Sequence, residues 1–202
     1  MMKNSTKMTH NKADILMSIY IKVSEKELIR VFESIKNQTN NYNKLIIICD
    51  GLIRKSTYLV IKKYITKLKI HLIKLKKNVG LGAALNEGIK YSTNKYIIRI
   101  DADDEVLPNR FEKQILFMEK NPDIVASSCS IEYVDEVTKK STIRSRPNDP
   151  NKLIIYSKYH APLSHAASII RLKTLKEVGG YPNLRRSQDV CLWHLFISKN
   201  LK

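Results

Sequence analysis

The sequence is short of the residues that staple, interrupt or conceal a chain. Only three of its 202 residues are cysteine: Cys49, Cys129 and Cys191, far apart and with no C-x-x-C pair. That excludes a disulfide framework and a thiolate metal knuckle, and predicts reduced thiols. Glycine and proline number six each, too few for a flexible linker. With no internal repeat either, the chain reads as one domain over 1–202. No apolar run approaches the roughly 18 residues of a membrane span, "LIIIC" being typical of the longest. The tail 1–12, "MMKNSTKMTHNK", is polar and lacks the apolar centre of a signal peptide. Acidic residues are also scarce, 19 against 36 Lys and Arg, for a net charge of +17. Such a field attracts nucleic acid, anionic headgroups and polyanionic ligands. Composition bias alone also yields it, since Ile and Asn are abundant too and the lysines are spread through stretches such as "IKKYITKLKIHLIKLKK".

Apolar patterning supplies what composition leaves open. "DILMSIY" at 14–20 is a short apolar run, and Ser24-x-x-Glu27 reads as a capping box opening a helix with Leu28, Phe32 and Ile35 on one face. "KLIIICDG" is a continuous apolar strand ending at Asp50-Gly51, "STYLVIKKYITKL" a helix, and "IHLIKL" a strand. "LGAALNEGIKYS" is a helix with Leu81, Leu85, Gly88 and Ile89 on one side. "KYIIRI" is a strand closed by carboxylates. Pro108 fits the first position of a helix whose buried stripe is Phe111, Ile115 and Met118. Strands apolar throughout, alternating with helices, predict an α/β fold with a mostly parallel sheet covered on both faces. From about residue 123 the rhythm changes. "DIVASSCSIEYVDE" reads as a strand, "DPNKLIIYSKYH" as a helix and "SHAASIIRL" as a strand. "KTLKEVGGYP" is a helix stopped by Gly179-Gly180, and "SQDVCLWHLFISKNLK" a final amphipathic helix using Val190, Trp193, Leu195 and Phe196.

Ligands of parallel sheets bind beyond the carboxyl ends of the strands. Asp50 and Asp101 both fall at that edge, and Asp101, Asp103, Asp104 and Glu105 crowd one turn. A calcium loop of the EF-hand kind needs Gly where Val106 stands. An aspartyl nucleophile would be followed by Thr or Val where Glu105 stands. A Walker-B role needs a G-x-x-x-x-G-K loop, which is missing, and "GLGAALNEG" places its third glycine too late for a dinucleotide fingerprint. Two readings remain. One is a solvated turn whose charges favour the next helix N-terminus. The other is a set of carboxylates holding Mg²⁺ or Mn²⁺ against a diphosphate, where the metal offsets their repulsion.

The blocks "ILMSIY", "ESIKNQT", "LIIICDG", "KNVGLGAALNEGI", "YIIRIDADDEVLPNRFEKQ", "SHAASIIR", "EVGGY" and "QDVCLW" occur in an order that resembles glycosyltransferase family 2, inverting enzymes with the GT-A fold. The variants "MSIYIK" and "VGLGAALNEG" look closest to members building bacterial surface polysaccharide, of the amylovoran-biosynthesis type. The resemblance runs from Ile15 to about Trp193. It implies a GT-A, Rossmann-like fold with a nucleotide-sugar-binding half over about 14–120 and a short mixed acceptor-side half over about 121–202. It implies that Ser18 and Tyr20 border the nucleotide, that Asp50 binds the base with Gly51 making the tight turn, and that Asn78 and Gly80 lie beside the nucleotide. Asp101 would support the ribose or metal shell, Asp103 would ligate Mn²⁺ or Mg²⁺, and Asp189 would be the catalytic base.

The implied donor is a nucleotide-diphosphate sugar, UDP-linked by preference, and the acceptor a saccharide or a lipid-linked one. The expected setting is cytoplasmic, peripheral at the inner face of the membrane. A catalytically inactive nucleotide-binding protein of the same fold is the alternative. Nucleic acid is not expected as a partner, because no motif for it is present and the aromatics do not interleave with the basic runs. Several positions depart from the family's commonest pattern. Cys49 stands for an acid before Asp50, Leu85 for an Arg, and Gln188 for the Glu before the base. His165 matches a frequent His and is given no chemistry. Family members continue several dozen residues past "QDVCLW", so the resemblance also implies a C-terminally shortened chain.

Overall fold

A computed structural model describes residues 13–39 and 42–202; the polar tail 1–12 lies outside the described residues. Four parallel strands open the chain: β1 (Ala13–Ile19), β2 (Leu45–Cys49), β3 (Ile70–Lys74) and β4 (Tyr96–Arg99). The helices between and after them are α1 (Glu25–Lys36), α2 (Lys55–Tyr64), α3 (Leu81–Ile89) and α4 (Arg110–Lys120). Then come β5 (Ala126–Ser128), β6 (Ile131–Val134), β7 (Ser141–Arg144), α5 (Pro150–Ser157), β8 (Ser168–Arg171), α6 (Leu172–Glu177) and α7 (Gln188–Ser198). The main sheet runs β3-β2-β1-β4-β8-β5, with β8 antiparallel to both β4 and β5. It is therefore mostly parallel with a mixed edge, as the sequence predicts, and strands from both halves of the chain share it.

The strands are apolar throughout because both faces of the sheet are covered. Ala13, Ile15, Met17 and Ile19 of β1 and Leu45, Ile47 and Cys49 of β2 point into a core closed by α1, α2 and α4. Leu16, Ile46 and Ile48 point the other way, against α3, α6 and α7. Leu28, Phe32 and Ile35, the predicted face of α1, are all buried, each worth about 1.5–3 kcal/mol relative to exposure. The capping box forms: Ser24 Oγ accepts from the Glu27 amide, and the Glu27 carboxylate accepts from the Ser24 amide.

Three expectations need correction. Pro108 is not helical. Helix α4 begins at Arg110, and Pro108 sits in a turn closed by the Arg110 amide donating to the Leu107 carbonyl. The run expected as one strand over 123–136 is two, β5 and β6, and β6 leaves the main sheet to pair with β7 in a separate hairpin. That partner strand, "STIR", is too short and too polar to announce itself by period. On α7 the buried face is Gln188, Leu192, Trp193 and Phe196, with Val190 and Leu195 only half-buried.

Candidate active site

Strands β1, β2 and β4 end side by side, and their carboxyl ends open into a cleft of about 590 Å³. Ser18, Tyr20, Asp50, Asn78, Gly80, Asp101 and Asp103 all line it, together with Lys22 and Glu27. Seven of the sequence-predicted residues, scattered over 86 positions from Ser18 to Asp103, thus meet in one place. Gly51 lies behind the wall with φ +83°, and a Cβ there would stand 2.7 Å from the Asn78 amide nitrogen. Only glycine lets the two loops touch.

Asp50 has a defined task in holding this wall. Its carboxylate accepts from the amides of Val79 (2.7 Å) and Gly80 (3.1 Å), while Asn78 Nδ2 donates to its backbone carbonyl. Both oxygens are engaged and the residue is 4% exposed, so Asp50 fixes the loop that frames the cleft.

The acid turn is built differently. One oxygen from each of Asp101, Asp103 and Asp104 can lie within 4.8 Å of the others. Burial pushes the Asp101 carboxyl up, but the Arg99 guanidinium, wholly buried and bonded to it, outweighs this and holds it below the usual range. Asp103 is raised by desolvation and by the charge of Asp101. Asp104 is pushed up to about 6 by desolvation and by both neighbouring acids. Carboxylates crowded this closely, Asp101 half-buried and Asp103 and Asp104 open to solvent, are what a divalent cation relieves, and hard carboxylate oxygens suit Mg²⁺ or Mn²⁺. The residues present therefore fit such an ion. Sequence reasoning singled out Asp103 as the ligand, with Asp101 supporting the ribose or metal shell; the geometry adds Asp104.

A second tier of residues holds the turn in place. Arg99 also donates to the carbonyls of Leu16 and Ile100. Arg110, buried at the start of α4, donates to the carbonyl of Arg99 (2.9 Å) and to Gln114 Oε1 (3.0 Å). From α1, Ser34 Oγ accepts from the Val106 amide. Beyond that helix, Gln38 donates to the Leu107 carbonyl (2.7 Å) and accepts from the Phe111 amide (3.1 Å). The block "ESIKNQT" thus clasps the chain that leaves the acid turn. None of these four was foreseen, yet one signal existed: a charged residue inside the apolar strand "YIIRI" must find a partner. Glu105 points away from the set and pairs with Arg30 at 3.5 Å.

Asp189 is not among the residues that line the cleft. It lies half-buried in the first turn of α7, which packs on the first turn of α3, where a Cβ at Gly82 would approach Gln188 to 3.2 Å. Both Asp189 and Asp101 act electrostatically on buried Tyr181, whose hydroxyl lies 3.1 Å from Nε2 of half-buried His165. Burial drives the Tyr181 hydroxyl up; Arg99 opposes this, and the charges of Asp189 and Asp101 both add to it. His165 is pushed down to about 3, first by burial and then by Arg99. It is a neutral packing residue, edge-on to Tyr181 and Trp193. Asn86 of α3 holds the adjoining turn, exchanging bonds of 2.8 Å with both the carbonyl and the amide of Tyr181.

Known proteins share this arrangement of chain and fold. The sequence profile described as Glycosyl transferase family 2 matches residues 14–179. The amylovoran biosynthesis glycosyltransferase AmsE of Erwinia amylovora is 31% identical over 179 residues, 89% of this chain and 67% of that protein. The UDP-Gal:alpha-D-GlcNAc-diphosphoundecaprenol beta-1,3-galactosyltransferase of Escherichia coli is 37% identical over 183 residues, 90% of this chain and 66% of that one. Among solved structures, S. aureus TarS 1–349 in complex with UDP-GlcNAc superposes with TM-score 0.69 at 19% identity, over 89% of this chain and 51% of that chain. The mannosyltransferase PcManGT of Pyrobaculum calidifontis, in complex with GDP-Man and Mn²⁺, gives 0.68 at 15%, over 91% and 51%. The chain thus spans about two thirds of these relatives and about half of these solved chains. A mostly parallel α/β sheet with acids at its carboxyl edge, and a profile match across most of the sequence, carry one conclusion: this chain belongs to glycosyltransferase family 2.

Proposed function

We propose that this chain transfers a sugar, with inversion, from a nucleotide-diphosphate donor to a saccharide or lipid-linked acceptor of a bacterial surface polysaccharide. The observation that carries the reading is the convergence of Asp101 and Asp103, with Asp104 clustered beside them, on a cleft that Ser18, Tyr20, Asp50, Asn78 and Gly80 also line. Relatives support the donor class: one is named for UDP-Gal, and fold neighbours are held with UDP-GlcNAc or with GDP-Man and Mn²⁺. UDP is the nucleotide we favour.

Asp103 would hold Mn²⁺ or Mg²⁺, with Asp101 and Asp104 beside it. A bound divalent ion would neutralise charge on the departing diphosphate. Tyr20 and Ser18 would flank the nucleotide on the side of β1, and the Asn78–Gly80 loop, held by Asp50, would flank it opposite. Arg99 favours the ionised form of Asp101, so the turn presents negative charge to the cleft. Asp189 would take the proton of the acceptor hydroxyl, whose oxygen then bonds to the anomeric carbon as the bond to the diphosphate oxygen breaks on the opposite face. The carboxyl-edge position supplies a wall for the donor on one side and open solvent for the acceptor on the other. We place the protein at the cytoplasmic membrane face, where a lipid-linked acceptor would reside. Among the described residues no helix is long and apolar enough to cross a membrane.

A second reading, a nucleotide-binding protein without turnover, draws on the place of Asp189 outside the cleft lining. Turnover separates the two. UDP release from UDP-sugars with Mn²⁺ present, followed by chromatography, is expected for the wild type and should fall at least about a hundredfold in Asp189→Asn. Tight UDP binding with no release of UDP from any sugar donor, with or without acceptor, would favour the second reading.

A further inference from the structure

The net charge is not spread evenly along the chain. Between Gly51 and Asn86 there are nine Lys and Arg residues and no acid, so 36 residues supply +9 of the net +17. Those nine are Arg54, Lys55, Lys62, Lys63, Lys67, Lys69, Lys74, Lys76 and Lys77, and every one is exposed. Composition bias does not predict a run of 36 residues without an acid.

The fold gathers them on one side. Helix α2 covers the flank of the sheet, and β3 is its outermost strand. Among the described residues none of the nine lies within ion-pair distance of a carboxylate. The ammonium groups of Lys62 and Lys74 instead sit over the Tyr58 ring, 5.1 and 4.0 Å from its centre, tying helix and strand into one surface. Apolar side chains stand among the charges: Leu52 is 85% exposed, Leu59 56% and Ile65 41%. The segment that carries this surface also reaches the cleft, since it runs from Gly51, behind the cleft wall, to Asn78, which lines it.

We propose that the outer face of α2 and the β3 edge dock the protein on an anionic phospholipid bilayer, with the cleft at the rim of the contact. Charge complementarity names the partner: unpaired lysines meet acidic headgroups, and each one near such a surface strengthens partition about fivefold. Leu52, Leu59 and Ile65 separate a bilayer from a nucleic acid, because apolar side chains gain from the headgroup–acyl boundary and gain nothing from a phosphate backbone. The purpose of the contact rests on the proposed transfer to a lipid-linked acceptor; the contact itself does not.

The test is sedimentation of the whole chain with phosphatidylcholine vesicles containing about 30% phosphatidylglycerol, against pure phosphatidylcholine. Wild type is expected to bind the acidic vesicles and to be released by about 0.5 M salt. The triple variant Lys62→Glu, Lys63→Glu, Lys67→Glu, all solvent-exposed and none lining the cleft, should lose at least about a hundredfold in partition. A control triple, Lys152→Glu, Lys158→Glu, Lys173→Glu, makes the same change in net charge elsewhere and should bind within about threefold of wild type. Asp103→Ala should also bind like wild type, so loss of donor binding and loss of docking are read separately. Equal loss in both triples would overturn the proposal, as would equal binding to neutral vesicles. Tighter binding of an oligonucleotide than of the acidic vesicles at the same salt would overturn it too.

Discussion

Asp14 at the amino edge of the central sheet and the acid turn Asp101, Asp103 and Asp104 at its carboxyl edge are built on opposite rules. At the amino edge Asp14 is wholly buried at the start of β1. Its carboxylate accepts from Asn43 Nδ2 (3.0 Å), Asn94 Nδ2 (2.7 Å), the Ser92 hydroxyl and the Thr93 amide (3.3 Å). Every lone pair there has a donor, and the site ties β1 to the turn before β4. At the carboxyl edge Asp103 and Asp104 face one another and Asp101, and both are pushed up by desolvation and by like charge. Asp101 alone has a cation of its own, Arg99. A carboxylate whose bonds are all filled by protein stabilises the fold. Carboxylates left in repulsion cost stability and leave room for something that is not protein.

That contrast is breakable in several ways. Asp14→Ala leaves buried amide and hydroxyl donors without their acceptor and should cost about 3–5 kcal/mol in denaturant unfolding. Nucleotide affinity of the folded protein should not change. A loss near zero would mean that Asp14 is not the keystone its bonds imply.

His165 gives a pH test between the two edges. Its folded value, about 3, lies below the ordinary 6.5, so below pH 6.5 the unfolded chain binds a proton that the folded chain refuses. Stability on this account is full above pH 6.5 and is lost as pH falls towards 3, by about 2 kcal/mol at pH 5. His165→Gln should flatten that part of the pH–stability curve, read from melts between pH 7 and 5. Asp103 and Asp104 work in the opposite sense, since their raised values mean that the folded state loses stability as pH rises through them.

Gln38→Ala removes the bonds to Val106, Leu107 and Phe111 in the chain leaving the acid turn and should cost about 1–2 kcal/mol. A several-fold loss of metal-dependent nucleotide affinity is expected to accompany it, read by calorimetry. The smallest stability effect belongs to the acids themselves. Asp103→Ala or Asp104→Asn should leave the melting free energy within about 0.5 kcal/mol of wild type or raise it, because repulsion is removed.

Much of this was legible in the residues. The continuous apolar strands gave away a sheet covered on both faces, and Ser24 with Glu27 marked the start of α1. The order of blocks brought Ser18, Tyr20, Asp50, Asn78, Gly80, Asp101 and Asp103 to one cleft. What escaped is what depends on contact across long separations. Ser34 and Gln38 look like ordinary surface positions until the chain 72 residues later folds against them. Asp14 reads as the polar start of a strand, and nothing local says that Asn43, Ser92 and Asn94 will converge on it. The β6–β7 hairpin was hidden because both of its strands are almost wholly solvent-exposed and so lack a buried face to set a period. Pro108 misled because proline suits a turn as readily as a helix start.

The central claim is that the carboxyl-edge acids await a metal and a nucleotide, and one titration tests it most directly. UDP is titrated calorimetrically into wild type and Asp103→Ala at pH 7, each with and without Mn²⁺. The account predicts that Mn²⁺ strengthens binding to wild type by at least about a hundredfold and has no such effect on Asp103→Ala, while both proteins melt alike. UDP affinity independent of Mn²⁺, and equal in the two proteins, would contradict it.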